Sequence, residues 1–86
     1  MASFEIEVSA SAERQLRRLP RADQIRVARA ILGLGREPFP RGFRKLSGYS
    51  DVFRVRVGTY RVLYSVDRGR VVIVVLKVGH RRDVYR

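Results

Sequence analysis

Apolar and polar positions alternate first with the period of a strand, then of helices, then of strands again. Phe4-Glu5-Ile6-Glu7-Val8 alternates apolar and acidic residues, which predicts a strand with one wet face. Ser9 and Ser11 are N-cap candidates, because a short hydroxyl can accept from the orphan amides of a first helical turn. Ala12, Leu16 and Leu19 follow at helical spacing, and Pro20 closes that helix. A second helix is predicted from Pro20 or Arg21, with an apolar stripe of Ile25, Ala28, Ile31 and Leu32. Arg21, Arg26 and Arg29 fall largely off that stripe, and Gly33 and Gly35 end the helix. Glu37-Pro38-Phe39-Pro40-Arg41-Gly42 reads as a loop.

From Tyr49 onward the period is two. Phe53, Val55 and Val57 alternate with Arg54 and Arg56, Gly58-Thr59 turns the chain, and Tyr60, Val62, Tyr64 and Val66 alternate with Arg61, Leu63 and Ser65. Asp67-Arg68-Gly69-Arg70 makes a second turn. Val71 to Val78 is apolar except at Lys77, the pattern of a central strand covered on both faces. The predicted order is β-α-α-β-β-β in one α+β domain over residues 1–86: a small antiparallel sheet with a two-helix hairpin on one face.

Length and composition narrow the chemistry. An 86-residue chain buries only about 60–65% of its unfolded surface, so its apolar residues must share one core. The absence of cysteine excludes disulfides, thiolate zinc sites and a cysteine nucleophile, and one histidine with eight carboxylates leaves little for a metal site; no metal and no cofactor are expected. Without a basic-then-apolar start or an apolar run near 18 residues, the chain is expected to be soluble and cytoplasmic, with no membrane partner. The net charge is +11, and 17 of the 19 basic residues are arginine. Residues 1–43 carry 8 basic and 5 acidic side chains; residues 44–86 carry 11 and 3. A lopsided excess of guanidinium groups points to a polyanion such as nucleic acid, because arginine binds phosphate through a planar fork. An acidic protein partner or a solvated surface is the other reading.

If Gly58-Thr59 is a two-residue hairpin loop, Val57 pairs with Tyr60, Arg56 with Arg61, Val55 with Val62 and Arg54 with Leu63. Arg54, Arg56 and Arg61 then share one face, and the apolar alternates build a core on the other. Like charges directly opposite cost some tenths of a kcal/mol, and these two strands offer that face no carboxylate. The face is either assembled for an anion or a solvated one on which arginine is the polar residue. The last strand runs into Gly79-His80-Arg81-Arg82-Asp83-Val84-Tyr85-Arg86. Histidine is the side-chain type that ordinarily titrates near neutral pH, but one after a strand is commonly a turn residue.

Lys45-Leu46-Ser47-Gly48, Phe53-Arg54-Val55-Arg56-Val57-Gly58, Tyr60-Arg61-Val62-Leu63-Tyr64 and Val78-Gly79-His80-Arg81-Arg82-Asp83-Val84-Tyr85, with Ser11-Ala12-Glu13 and Leu16-Arg17-Arg18-Leu19-Pro20, resemble the bacterial and archaeal RelE toxins of the RelE/ParE superfamily. Each motif is weak alone, and their order and spacing carry the resemblance over essentially the full length. It implies the toxin of a type II toxin–antitoxin pair, with its first strand beside its last. Such toxins enter the ribosomal A site and cut mRNA without a metal, the substrate's 2′-OH attacking the adjacent phosphate to give a 2′,3′-cyclic phosphate and a 5′-OH. The implied partners are mRNA, the ribosome and a cognate antitoxin.

By the same resemblance Arg54 and Arg56 occupy the family's basic strand pair, which is lysine in its best-known member. Arg61 matches the arginine on the scissile phosphate, Arg81 the basic residue at the leaving group, and Tyr85 the C-terminal tyrosine that stacks on a base and orients the hydroxyl. Lys45 and Arg82 complete the expected RNA-binding set. With arginine at 54 and 56 no strand lysine can act as base, and a guanidinium does not give up its proton. Either His80 moves the proton, or positioning and charge supply the rate without a strong base. The alternative function is a ParE-like gyrase inhibitor, a class that generally lacks the basic strand face and terminal tyrosine. Simple alternation also sends Val72, Val74, Leu76 and Val78 to the face away from the helices, where an antitoxin segment is expected to cover them.

Overall fold

The structure, a computed structural model, describes residues 3–80. Strand β1 (Glu5–Val8) leads into helix α1 (Ala10–Arg17) and helix α2 (Arg21–Leu34), followed by strands β2 (Arg44–Lys45), β3 (Val52–Val57), β4 (Tyr60–Asp67) and β5 (Val72–His80). They form one five-stranded sheet in the order β1-β5-β4-β3-β2. The sheet is mixed: the antiparallel meander expected from the sequence is joined by a parallel first strand. The meander from β2 to β5 is antiparallel, but β1 lies beside β5 and runs parallel to it, from Glu5 opposite Val72 to Val8 opposite Val75. Parallel neighbours need a crossover, and the helical hairpin and the meander supply it here.

Both helices lie on one face. Ala12, Val27, Ile31 and Leu34 pack with Phe53, Val55, Val57, Val62, Tyr64, Val66, Ile73, Val75 and Val78 in a single core. The stripe that α2 buries is therefore Val27, Ile31 and Leu34, while Ile25 and Leu32 are exposed, at 42% and 69%. This helix has apolar residues on two sides, so periodicity alone did not fix its orientation. Ser9 caps α1, its hydroxyl accepting from the Ala12 amide at 3.0 Å. Pro20 precedes α2, and its carbonyl accepts from Gln24 N at 2.8 Å. Val71 lies outside β5, in the β4–β5 turn with φ 58.

β5 contains one extra residue. Leu63 pairs with Lys77 but Tyr64 pairs with Val75, which leaves Leu76 as a β-bulge. Two side chains from the α1 region meet the backbone groups around it. The Ser9 hydroxyl donates to the Leu76 carbonyl at 3.1 Å, and Gln15 Oε1 accepts from the Val78 amide at 2.7 Å. The bulge reverses alternation downstream. Val78 faces the helices and is 1% exposed, opposite Val62, so the expected aliphatic stripe on the open face loses Val78 and keeps Val72, Val74 and Leu76. Val72 is buried on the open face, Val74 is half-buried and Leu76 is exposed.

Candidate functional site

The β3–β4 hairpin decides which basic side chains meet. Gly58 takes φ 62 in the two-residue turn, a conformation that favours glycine. Val57 then pairs with Tyr60, Arg56 with Arg61, Val55 with Val62 and Arg54 with Leu63, the register expected from the sequence. From the helical side, the Tyr60 hydroxyl donates to Asp23 Oδ2 at 3.1 Å, and Arg26 Nη2 donates to Asp23 Oδ1 at 3.4 Å. The hydrogen bond to the Asp23 carboxylate, then burial, raise the Tyr60 phenol above its ordinary value. α2 thus ties down the end of the hairpin that carries Arg56 and Arg61.

On the open face the residues stand in cross-strand rows. Arg56, Arg61 and Gly79 form the row nearest the hairpin turn; Arg44, Arg54, Leu63 and Lys77 form the next. Farther along come Val52, Ser65, Val74 and Glu7, then Asp67, Val72 and Glu5. The face therefore runs from strongly basic at the hairpin end to acidic at the far end. Arg56 and Arg44 are exposed, whereas Arg54, Arg61 and Lys77 are half-buried. The ion pairs Arg17–Glu13, Arg26–Asp23 and Arg70–Glu7 lie on α1, on α2 and at the acidic end. Half-buried guanidinium groups held on paired strands are fixed donors of the kind that suits a phosphate, since such donors need little reorganisation when negative charge arrives.

Two expected members lie elsewhere. Lys45 pairs with Phe53 and so belongs to the helical face of the edge strand β2, exposed and turned from Arg54. His80 pairs with Tyr60 on the helical face, with ring centroids 6.1 Å apart and planes at 82°. The bulge puts it there, because unbroken alternation from Val75 would have sent it to the arginine face. Arg81, Arg82 and Tyr85 lie outside the described residues. Lys77 and Arg44 are additions. Lys77 was signalled only as the single polar residue in the run from Val71 to Val78, and its side depends on the bulge. Arg44 sits in a strand of two residues, too short for alternation to be read.

Residues 6–85 match the sequence model of a family described as the ParE toxin of type II toxin–antitoxin system, parDE. The toxin RelG of Mycobacterium tuberculosis is 34% identical over 84 residues, which span 96% of this chain and 97% of its own. The chain belongs to the RelE/ParE family of type II toxins. Within that family it is RelE-type. The toxin–antitoxin complex RelBE2 of M. tuberculosis contains a chain that superposes with a TM-score of 0.83 at 32% identity, covering 93% of this chain and 100% of that one. The archaeal RelE–RelB complex of Pyrococcus horikoshii gives 0.82 at 32%, covering 95% and 99%. The RelE-type fold thus accounts for the two helices and the mixed sheet, including the pairing of first strand with last.

Proposed function

We propose that this toxin is a ribosome-dependent mRNA endoribonuclease that acts in the A site. The observation that carries the reading is the meeting of Arg54, Arg56 and Arg61 on one face of a tied-down hairpin. In the proposed reaction the 2′-oxygen of the message attacks the adjacent phosphorus. The P–O5′ bond breaks, leaving a 2′,3′-cyclic phosphate and a 5′-OH. The nucleophile belongs to the substrate, so the protein's task is to position it and to stabilise charge. Arg61 grips the scissile phosphate and Arg54 and Arg56 neutralise the pentacoordinate state, each fixed donor acting where charge develops. Arg81 serves the leaving oxygen, Tyr85 orients the attacking hydroxyl, and Arg82 binds flanking RNA. His80, turned toward Tyr60, is the remaining candidate for proton transfer, and its position supports a mechanism led by positioning and charge. Lys45 is left to outer contacts with RNA.

The partner that restrains the activity is a cognate antitoxin, as in the M. tuberculosis and P. horikoshii complexes. The second reading, a gyrase inhibitor without nuclease chemistry, draws on the ParE description of the matching family. Incubation with translating ribosomes, followed by mapping of new 5′ ends on the message, tests both. Cuts within A-site codons that disappear in Arg61→Ala are the expected result. Intact message together with trapped gyrase–DNA cleavage complexes would overturn the nuclease reading.

A further inference from the structure

The loop between α2 and β2 is built as carefully as the hairpin. Phe39 and Phe43 pack on each other and on Phe53, with ring centroids 5.3, 5.1 and 6.0 Å apart. The Tyr64 hydroxyl donates to the Pro38 carbonyl at 2.7 Å. Pro40 to Phe43 is a β-turn, closed by the Phe43 amide on the Pro40 carbonyl at 3.0 Å, with Gly42 at φ 87. Aromatic anchors thus fix both flanks of a turn whose second residue is Arg41. The turn, β2 and β3 enclose a depression of about 220 Å³ lined by Arg41, Gly42, Arg44, Arg54 and Arg56. Four arginines line it, and among the described residues neither a carboxylate nor an apolar side chain does.

We propose that this depression is a second phosphate subsite, which holds an RNA phosphodiester beside the one gripped by Arg61. The inference rests on the nuclease reading and extends it to the flanking backbone. Arg41, Arg44 and Arg56 bring like charges to one hollow beside Arg54, and a phosphate offsets their mutual repulsion while accepting from planar forks. A protein segment would instead need apolar contacts at the centre of its footprint, and this lining has none. Arg41 and Arg44 therefore contribute to binding alone, while Arg54 and Arg56 stand between this hollow and Arg61 and serve the reacting phosphate.

The test uses ribosomes carrying a message with 2′-O-methyl groups in the A-site codon, which cannot be cut, and ribosomes without message. The double variant R41A/R44A is expected to bind the programmed ribosomes at least about 10-fold more weakly, with a log–log salt slope shallower by about 2. The double variant R14A/R29A removes equal charge from exposed positions on α1 and α2 and is expected to stay within about 3-fold. R41K/R44K restores the slope but not the full affinity, since it keeps charge and loses the fork. A loss confined to programmed ribosomes assigns the phosphate to the message; a loss in both assigns it to ribosomal RNA; either supports the subsite. Equal losses in the two alanine pairs, or a loss only in antitoxin binding, would overturn it. Cleavage plays no part in these measurements, so a wild-type protein that binds but cuts no ordinary message defeats the nuclease reading alone.

Discussion

The guanidinium of Arg26 lies against the turn at Gly58: a Cβ added there would stand 2.7 Å from Arg26 Nη1. Gly58 also has φ 62, where an L side chain meets its own carbonyl. Gly58→Ala should lower the unfolding free energy by about 1–2 kcal/mol. Combining it with Arg26→Ala should recover the steric part and leave the backbone part. Urea unfolding of the single and double variants separates the two.

Asp23 holds the same hairpin through Tyr60. Asp23→Asn keeps the shape but weakens the bond from phenol to carboxylate, and should lower stability. The ultraviolet titration of Tyr60 should move down toward the ordinary phenol range, because the largest cause of its elevation has gone. A titration curve identical to that of the wild type would show that Asp23 does not hold the ring.

Arg61→Ala removes a like charge opposite Arg56 and leaves the Val62–Tyr64–Val66 side of β4 intact. Stability should change by no more than about 0.5 kcal/mol. Cleavage on ribosomes should fall by about 10²–10³, the usual effect of removing one fixed donor to developing negative charge. Loss of the fold together with activity would make Arg61 structural.

His80 shares a face with Tyr60 rather than with the arginines. His80→Ala should therefore slow cleavage only a few-fold. A fall of about 10²–10⁴ with loss of one limb of the pH–rate profile would identify it as the proton-transfer group.

Burial pushes the Tyr64 phenol up from 10.0 to about 12. A raised value means that the folded state holds the proton more tightly than the unfolded chain. The associated stability is full below pH 10 and is lost as pH rises toward about 12. Tyr64→Phe should cost about 1 kcal/mol at neutral pH through the lost bond to Pro38. It should also lessen the alkaline decline seen in denaturant melts of the wild type.

The hairpin register was legible because Gly58-Thr59 and the alternation around it are local signals. The Leu76 bulge was not. In a run that is apolar at nearly every position, alternation carries no parity, and the groups that accommodate the bulge come from Ser9 and Gln15, more than sixty residues earlier. Val78, just after it, was consequently assigned to the wrong face, and the sides of Lys77 and His80 could not be read. The Arg41–Arg44 hollow escaped for a different reason: its walls are joined by aromatic packing between a loop and β3, a contact between distant residues that neither spacing nor charge records.

The basic-to-acidic gradient across the sheet also bears on the speed and geometry of encounter. Arginines at the hairpin end and Glu5, Glu7 and Asp67 at the other give the open face an electric dipole lying in its own plane. In the field of a polyanion such as the proposed RNA partner the molecule would be turned before contact, hairpin leading and β1 trailing. A larger share of collisions then begins near the productive orientation, which shows as a higher association rate rather than a longer lifetime. Reversing Glu5 and Glu7 to lysine would raise the net charge and yet remove that alignment. The more basic protein would be pulled in harder and arrive in more wrong orientations.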